Sequence, residues 1–117
     1  MEICKEMQKL RDWLDENNIP WMDQSEDYHI DLGDLGKMWM CRTKFEIGGV
    51  LCSVINGYGS YGGFNSFEKD NQGLLEIWAD QKINDGSPEG YLTADEIIKM
   101  VTDNYMVNKE GRLDEAD

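Results

Sequence analysis

The chain has 117 residues, enough for one domain with one modest core. Its 24 acidic residues against 11 basic ones give a formal net charge of −13, which weighs against direct contact with a phosphate backbone. No apolar run nears the roughly 18 residues a membrane span needs, and the three cysteines, Cys4, Cys41 and Cys52, form no CxxC pair or disulfide framework. The expected organisation is a single acidic domain over residues 1–108 with a charged tail over 109–117. The first residues lack the basic start and apolar stretch of a signal peptide, so the expected location is the cytoplasm.

Residues 2–17 predict an amphipathic helix, because Ile3, Met7, Leu10 and Leu14 recur at helical spacing. Asn17-Asn18 and Pro20 end it. Residues 21–27 read as a polar connection. Tyr28, Ile30 and Leu32 then alternate with His29 and Asp31 as a short strand, broken by Gly33 and Gly36.

The clearest local pattern is a hairpin. Trp39, Cys41, Thr43, Phe45 and Ile47 share one face, and Met40, Arg42, Lys44 and Glu46 share the other. Gly48-Gly49 suits a two-residue turn, since both positions tolerate φ > 0. The return strand from Val50 to Asn56 then sets Ile47 against Val50, Phe45 against Cys52 and Thr43 against Val54.

Residues 57–72 form a Gly-, Asn- and Ser-rich loop with Tyr58, Tyr61, Phe64 and Phe67. Leu74 to Ala79 reads as a strand with Leu75 and Ile77 on one side. Residues 80–90 read as a turn-rich loop. Thr93-Ala94-Asp95-Glu96 is a capping-box pattern that starts a second helix, with Ile97, Ile98, Val101 and Tyr105 on its buried side. The fold class expected is therefore α+β: an antiparallel sheet of about four strands, with an N-terminal and a C-terminal helix packed on one face.

Three motifs invite chemistry. Gly57-Tyr58-Gly59-Ser60-Tyr61-Gly62 matches G-x-G-x-x-G, but no helix pattern follows to hold a pyrophosphate. Asp85 to Glu96 resembles a calcium loop, with oxygens from Asp85, Ser87, Glu89, the Tyr91 carbonyl and Glu96, and Gly90 at the turn. Pro88 is awkward there, and no second hand exists to pair with it. Zinc on Cys4, Cys41, Cys52 and His29 conflicts with the hairpin register, which separates Cys41 from Cys52 by roughly 13 Å. No nucleophile–base pairing appears, so an enzyme is not the expectation and no metal or other cofactor is assigned.

Two surface constellations remain as candidate partner-binding groups. One is acidic: Asp23, Glu26, Asp27, Asp31 and Asp34, continuing from Asp12, Asp15 and Glu16. The other is the aromatic loop, Tyr58, Tyr61 and Phe64, since exposed Tyr and Phe are frequent protein-binding anchors. The acids are unevenly spread. Residues 1–34 hold ten acids against Lys5, Lys9 and Arg11, whereas 37–46 holds Lys37, Arg42 and Lys44 against Glu46 alone. A protein with a basic surface is the natural complement.

Three spaced blocks carry a resemblance. They are Ser53 to Gly63 (SVINGYGSYGG), Gly73 to Trp78 (GLLEIW) and Gly90 to Glu96 (GYLTADE). Over roughly residues 38 to 101 the chain resembles a family of small orphan proteins from phages, prophages and plasmids of Gram-positive bacteria. Short acidic orphans of that kind resemble anti-CRISPR proteins, which inhibit CRISPR-Cas effector nucleases by occupying them. The resemblance implies an accessory protein of a mobile element that blocks a basic host-defence protein, foremost a type II CRISPR nuclease. The alternatives are a calcium-type regulatory module over 85–96 and a small uncharacterised enzyme.

Overall fold

A computed structural model describes residues 3–31, 37–63, 71–80 and 88–106. The first helix, α1 (Lys5–Glu16), buries Met7, Leu10 and Leu14 as their spacing requires, together with Arg11. It ends on Asn18 in the left-handed region at φ 56°, a conformation asparagine tolerates. The amides of Asn18 and Ile19 return to the carbonyls of Asp15 and Leu14, the paired bonds of a Schellman stop. Pro20 then directs the chain into the sheet.

Six antiparallel strands follow among the described residues: β1 (Trp21–Asp23), β2 (Glu26–Asp31), β3 (Lys37–Ile47), β4 (Val50–Gly57), β5 (Leu75–Ala79) and β6 (Glu89–Leu92). The order is β1-β3-β4-β5-β6, with β2 also on β3. The count exceeds the expected four for two reasons. The stretch 21–27 is no mere polar connection: β1 and the start of β2 are successive pieces of one edge strand along β3. Trp21 lies opposite Phe45 and Asp27 opposite Trp39 in a single register. Between the pieces, the Ser25 hydroxyl takes the Arg42 amide in place of a backbone carbonyl. The ladder then bulges between Asp27 and Ile30. Polar side chains hid this strand because it is an edge, where charge is the normal composition. The second addition is β6, at the end of a stretch expected to be all loop.

The hairpin has the expected register throughout, with Ile47 opposite Val50, Phe45 opposite Cys52 and Thr43 opposite Val54. Gly48 and Gly49 both take positive φ, 58° and 82°. Gly48 is doubly constrained, since a Cβ there would lie 2.6 Å from the Tyr105 carbonyl oxygen.

Period-two alternation then sorts the sheet into faces. Cys41, Thr43, Phe45, Ile47, Val50, Cys52, Val54, Asn56, Leu75, Ile77 and Leu92 are buried on one side. The second helix, α2 (Ala94–Val101), adds Ala94, Ile97 and Val101, and a following π-helical turn at Thr102–Met106 adds Tyr105. Both helices join the same apolar cluster on this face. They are also tied to one another. The Glu6 carboxylate accepts the Ala94 amide at 2.7 Å, placing negative charge at the N-terminus of α2. Lys9 pairs with Asp95 at 2.9 Å. The capping box is present, with the Thr93 hydroxyl accepting from the Glu96 amide and Glu96 reaching back to the Thr93 amide.

Candidate docking surface

Asp23, Glu26 and Asp27 lie on the edge strand, and the structure gives them different work. Asp23 Oδ1 accepts from Arg11 Nη2 at 3.3 Å and from the Ser25 amide at 3.0 Å, and it also meets the Ser25 hydroxyl. These partners, Ser25 first, hold its carboxyl below the usual range. Asp23 is thus a positioning group for Arg11, which is 4% exposed. Arg11 Nε donates to Thr43 Oγ1 at 2.8 Å, and the guanidinium lies 4.6 Å from the centre of the Trp21 ring. Glu26 and Asp27 are exposed. Asp31 is placed by register opposite Lys37 in β2. Asp34 and Phe64 lie outside the described residues, as do Phe67, Asp85, Gly86, Ser87 and the tail from 107 onward.

The glycine motif builds a turn. Ser60 Oγ accepts the Gly57 amide at 2.9 Å and donates to the Gly57 carbonyl at 3.0 Å, so its hydroxyl fills the space a phosphate would need. Tyr58 is half-buried and its amide bonds to the Trp39 carbonyl at 2.9 Å. Tyr61 is held by both backbone groups. Its amide donates to Glu76 Oε1 at 2.8 Å, and its carbonyl accepts the Tyr91 amide at 3.0 Å. The Tyr61 and Tyr91 rings stack with centroids 6.2 Å apart and planes 25° apart. They stay 57% and 59% exposed. Gly90 is required beside them, because the Tyr61 Cβ occupies the place its own Cβ would take.

Tyr91 sits at φ +58°, within a register shift of the β5–β6 pair. A bulky residue in the left-handed region costs about 1–2 kcal/mol. The strain turns an aromatic ring outward where alternation alone would allow any polar residue.

The two predicted constellations meet at one end of the sheet. Met40 of β3 lies opposite Glu26 on one side and Gly57 on the other. Glu26 and the start of the aromatic turn are therefore about 10 Å apart, two strand spacings. The sequence reading missed Tyr91 as an aromatic partner and Glu76 as its support. The signal was present in the outward position of Glu76, but Tyr91 needs the bulge to be seen.

The metal readings fare differently. Glu96 Oε1 accepts from the Thr93 amide at 3.0 Å and meets the Thr93 hydroxyl at 3.1 Å, so the carboxylate the calcium loop needs serves as a helix cap. Glu89 lies in β6. Among the described residues no three His, Cys, Asp or Glu side chains are grouped to hold a metal. Cys41 and Cys52 lie opposite Asn56 and Phe45, four residues apart along the ladder, and all three cysteines are free thiols. Burial pushes the Cys52 thiol up to about 12 and raises that of Cys4.

No protein-family model matches the chain, and neither a curated protein nor a solved structure matches it significantly. None of the described helices is long and apolar enough to cross a membrane.

Proposed function

We propose that this chain is a non-catalytic binding protein that docks the acidic, aromatic end of its sheet on a basic protein. The observation that carries the reading is the exposed Tyr61–Tyr91 stack, held by four fixed backbone contacts and an unfavourable φ, within two strands of Glu26 and Asp27. Rigid exposed tyrosines supply contact area at low entropic cost. Flanking carboxylates on a chain of net charge −13 select a cationic partner.

The resemblance to mobile-element orphans makes a host-defence nuclease the partner class, with type II CRISPR effectors first. Such a nuclease keeps a positively charged channel for nucleic acid. An acidic protein seated there blocks it by occupancy and needs no cofactor. The test is capture of a type II CRISPR nuclease followed by a DNA-cleavage assay. Inhibition that weakens as salt rises, and is lost in Tyr61→Ala and Tyr91→Ala, supports the proposal. Unimpaired cleavage at excess protein removes that nuclease from consideration.

A further inference from the structure

The sheet face opposite the helices carries a second surface of opposite sign. Cross-strand register builds it in rungs. Lys44, Ser53 and Trp78 form one, and Arg42, Ile55 and Glu76 form the next. With Leu51 they enclose an open groove of about 260 Å³. The hollow arises because Ser53 is small between two long neighbours. Trp78 is 45% exposed and Leu51 also reaches solvent, on a face that neither helix covers.

The cations are the unusual part. Lys9, Arg11 and Lys99 each pair with a carboxylate, Asp95, Asp23 and Asp103. Arg42 and Lys44 form no ion pair with any described residue, although the chain has 24 acids. They stand on alternate positions of β3, so their origins are about 6.8 Å apart along the strand. An extended peptide repeats its same-face side chains at that spacing.

We infer that this groove binds an extended acidic segment of a protein partner, with carboxylates at alternate residues on Arg42 and Lys44 and an apolar side chain over Ser53 against Trp78. A polyphosphate chain is the poorer occupant. Glu76 lines the same groove and the whole chain repels a polyanion, while only two cations attract it. The surface is distinct from the acidic–aromatic end, so it stands whether or not that end docks on a nuclease.

The test is titration of the isotopically labelled protein with a short synthetic peptide bearing glutamates at alternate positions followed by leucine. The readout is the Trp78 indole N–H resonance, assigned with Trp78→Phe. The expected result is a saturable shift that weakens at least about tenfold in Arg42→Gln/Lys44→Gln. A control peptide with glutamine for glutamate is expected to leave the resonance in place. Both substitutions lie on an uncovered face, and an unchanged melting temperature confirms that the variant folds. No shift at millimolar peptide, an equal shift in the double variant, or tighter binding of a single-stranded oligonucleotide would each overturn the inference.

Discussion

Replacing Arg11 by alanine removes the one buried cation beneath α1, and the structure sets the size of the loss. Its bond to Thr43 Oγ1, 2.8 Å long and buried, is charge-assisted; such bonds contribute about 1.5–3 kcal/mol. The Trp21 ring at 4.6 Å adds about 0.5–1 kcal/mol. The Asp23 side chain is 53% exposed, so solvent screens that pair and it adds less than about 1 kcal/mol. The contacts to Cys41 Sγ at 3.6 Å and the Arg42 carbonyl at 3.4 Å are too long to count for much. Alanine also leaves a cavity, whereas relief of guanidinium desolvation works the other way. The net expectation is a loss of about 3 kcal/mol, near the low end for breaking a buried charged contact. Urea unfolding followed by circular dichroism measures it. With a slope of about 1.5 kcal/mol per molar urea, the midpoint falls by about 2 M. Arg11→Met keeps the stem packed and removes the charge, so it loses less. An alanine variant within about 1 kcal/mol of the parent would refute the assignment of Arg11 as a structural cation.

Other outcomes follow from single sites. Asp23→Asn lowers stability at neutral pH, and the difference from the parent vanishes as pH falls through the depressed Asp23 pKa, since that stabilisation requires the carboxylate; equilibrium unfolding from neutral to acidic pH reads it. Thr93→Ala removes the side-chain half of the α2 capping box and costs about 1 kcal/mol, measured by the same unfolding. Gly48→Ala lowers the melting temperature, because it combines φ 58° with a Cβ 2.6 Å from the Tyr105 carbonyl oxygen. Cys52, with its thiol near 12 and no exposure, resists alkylation at pH 8 until denaturant is added, which mass spectrometry of the labelled peptide detects.

Much of the fold is written in local pattern. The helical stripe of Met7, Leu10 and Leu14, the Gly48-Gly49 turn and the Thr93–Glu96 box each encode an element through short-range chemistry, and all three are present. The edge strand was not legible, because Asp23, Glu26 and Asp27 read as solvated loop while β3 supplies their partners from the far side of a break. Nor was Asp23 separable from Glu26 by sequence. Their difference depends on Arg11 entering from α1, a tertiary fact. Tyr61 was marked as an anchor, but its partner Tyr91 lies thirty residues on and is brought to it by the β5–β6 bulge. The open groove was half visible: alternation assigned Arg42 and Lys44 to one hairpin face, whereas Trp78 reached them only through β4–β5 pairing.

The acidic–aromatic sheet end as a docking site for a basic protein is the central claim. Calorimetric titration of a type II CRISPR nuclease with the parent protein and with Glu26→Gln/Asp27→Asn/Tyr61→Ala tests it most directly. The account predicts saturable binding by the parent, weakening with salt, and a loss of at least about tenfold in the triple variant at unchanged melting temperature. Binding by the parent that the triple variant retains in full, at every salt concentration, would contradict it.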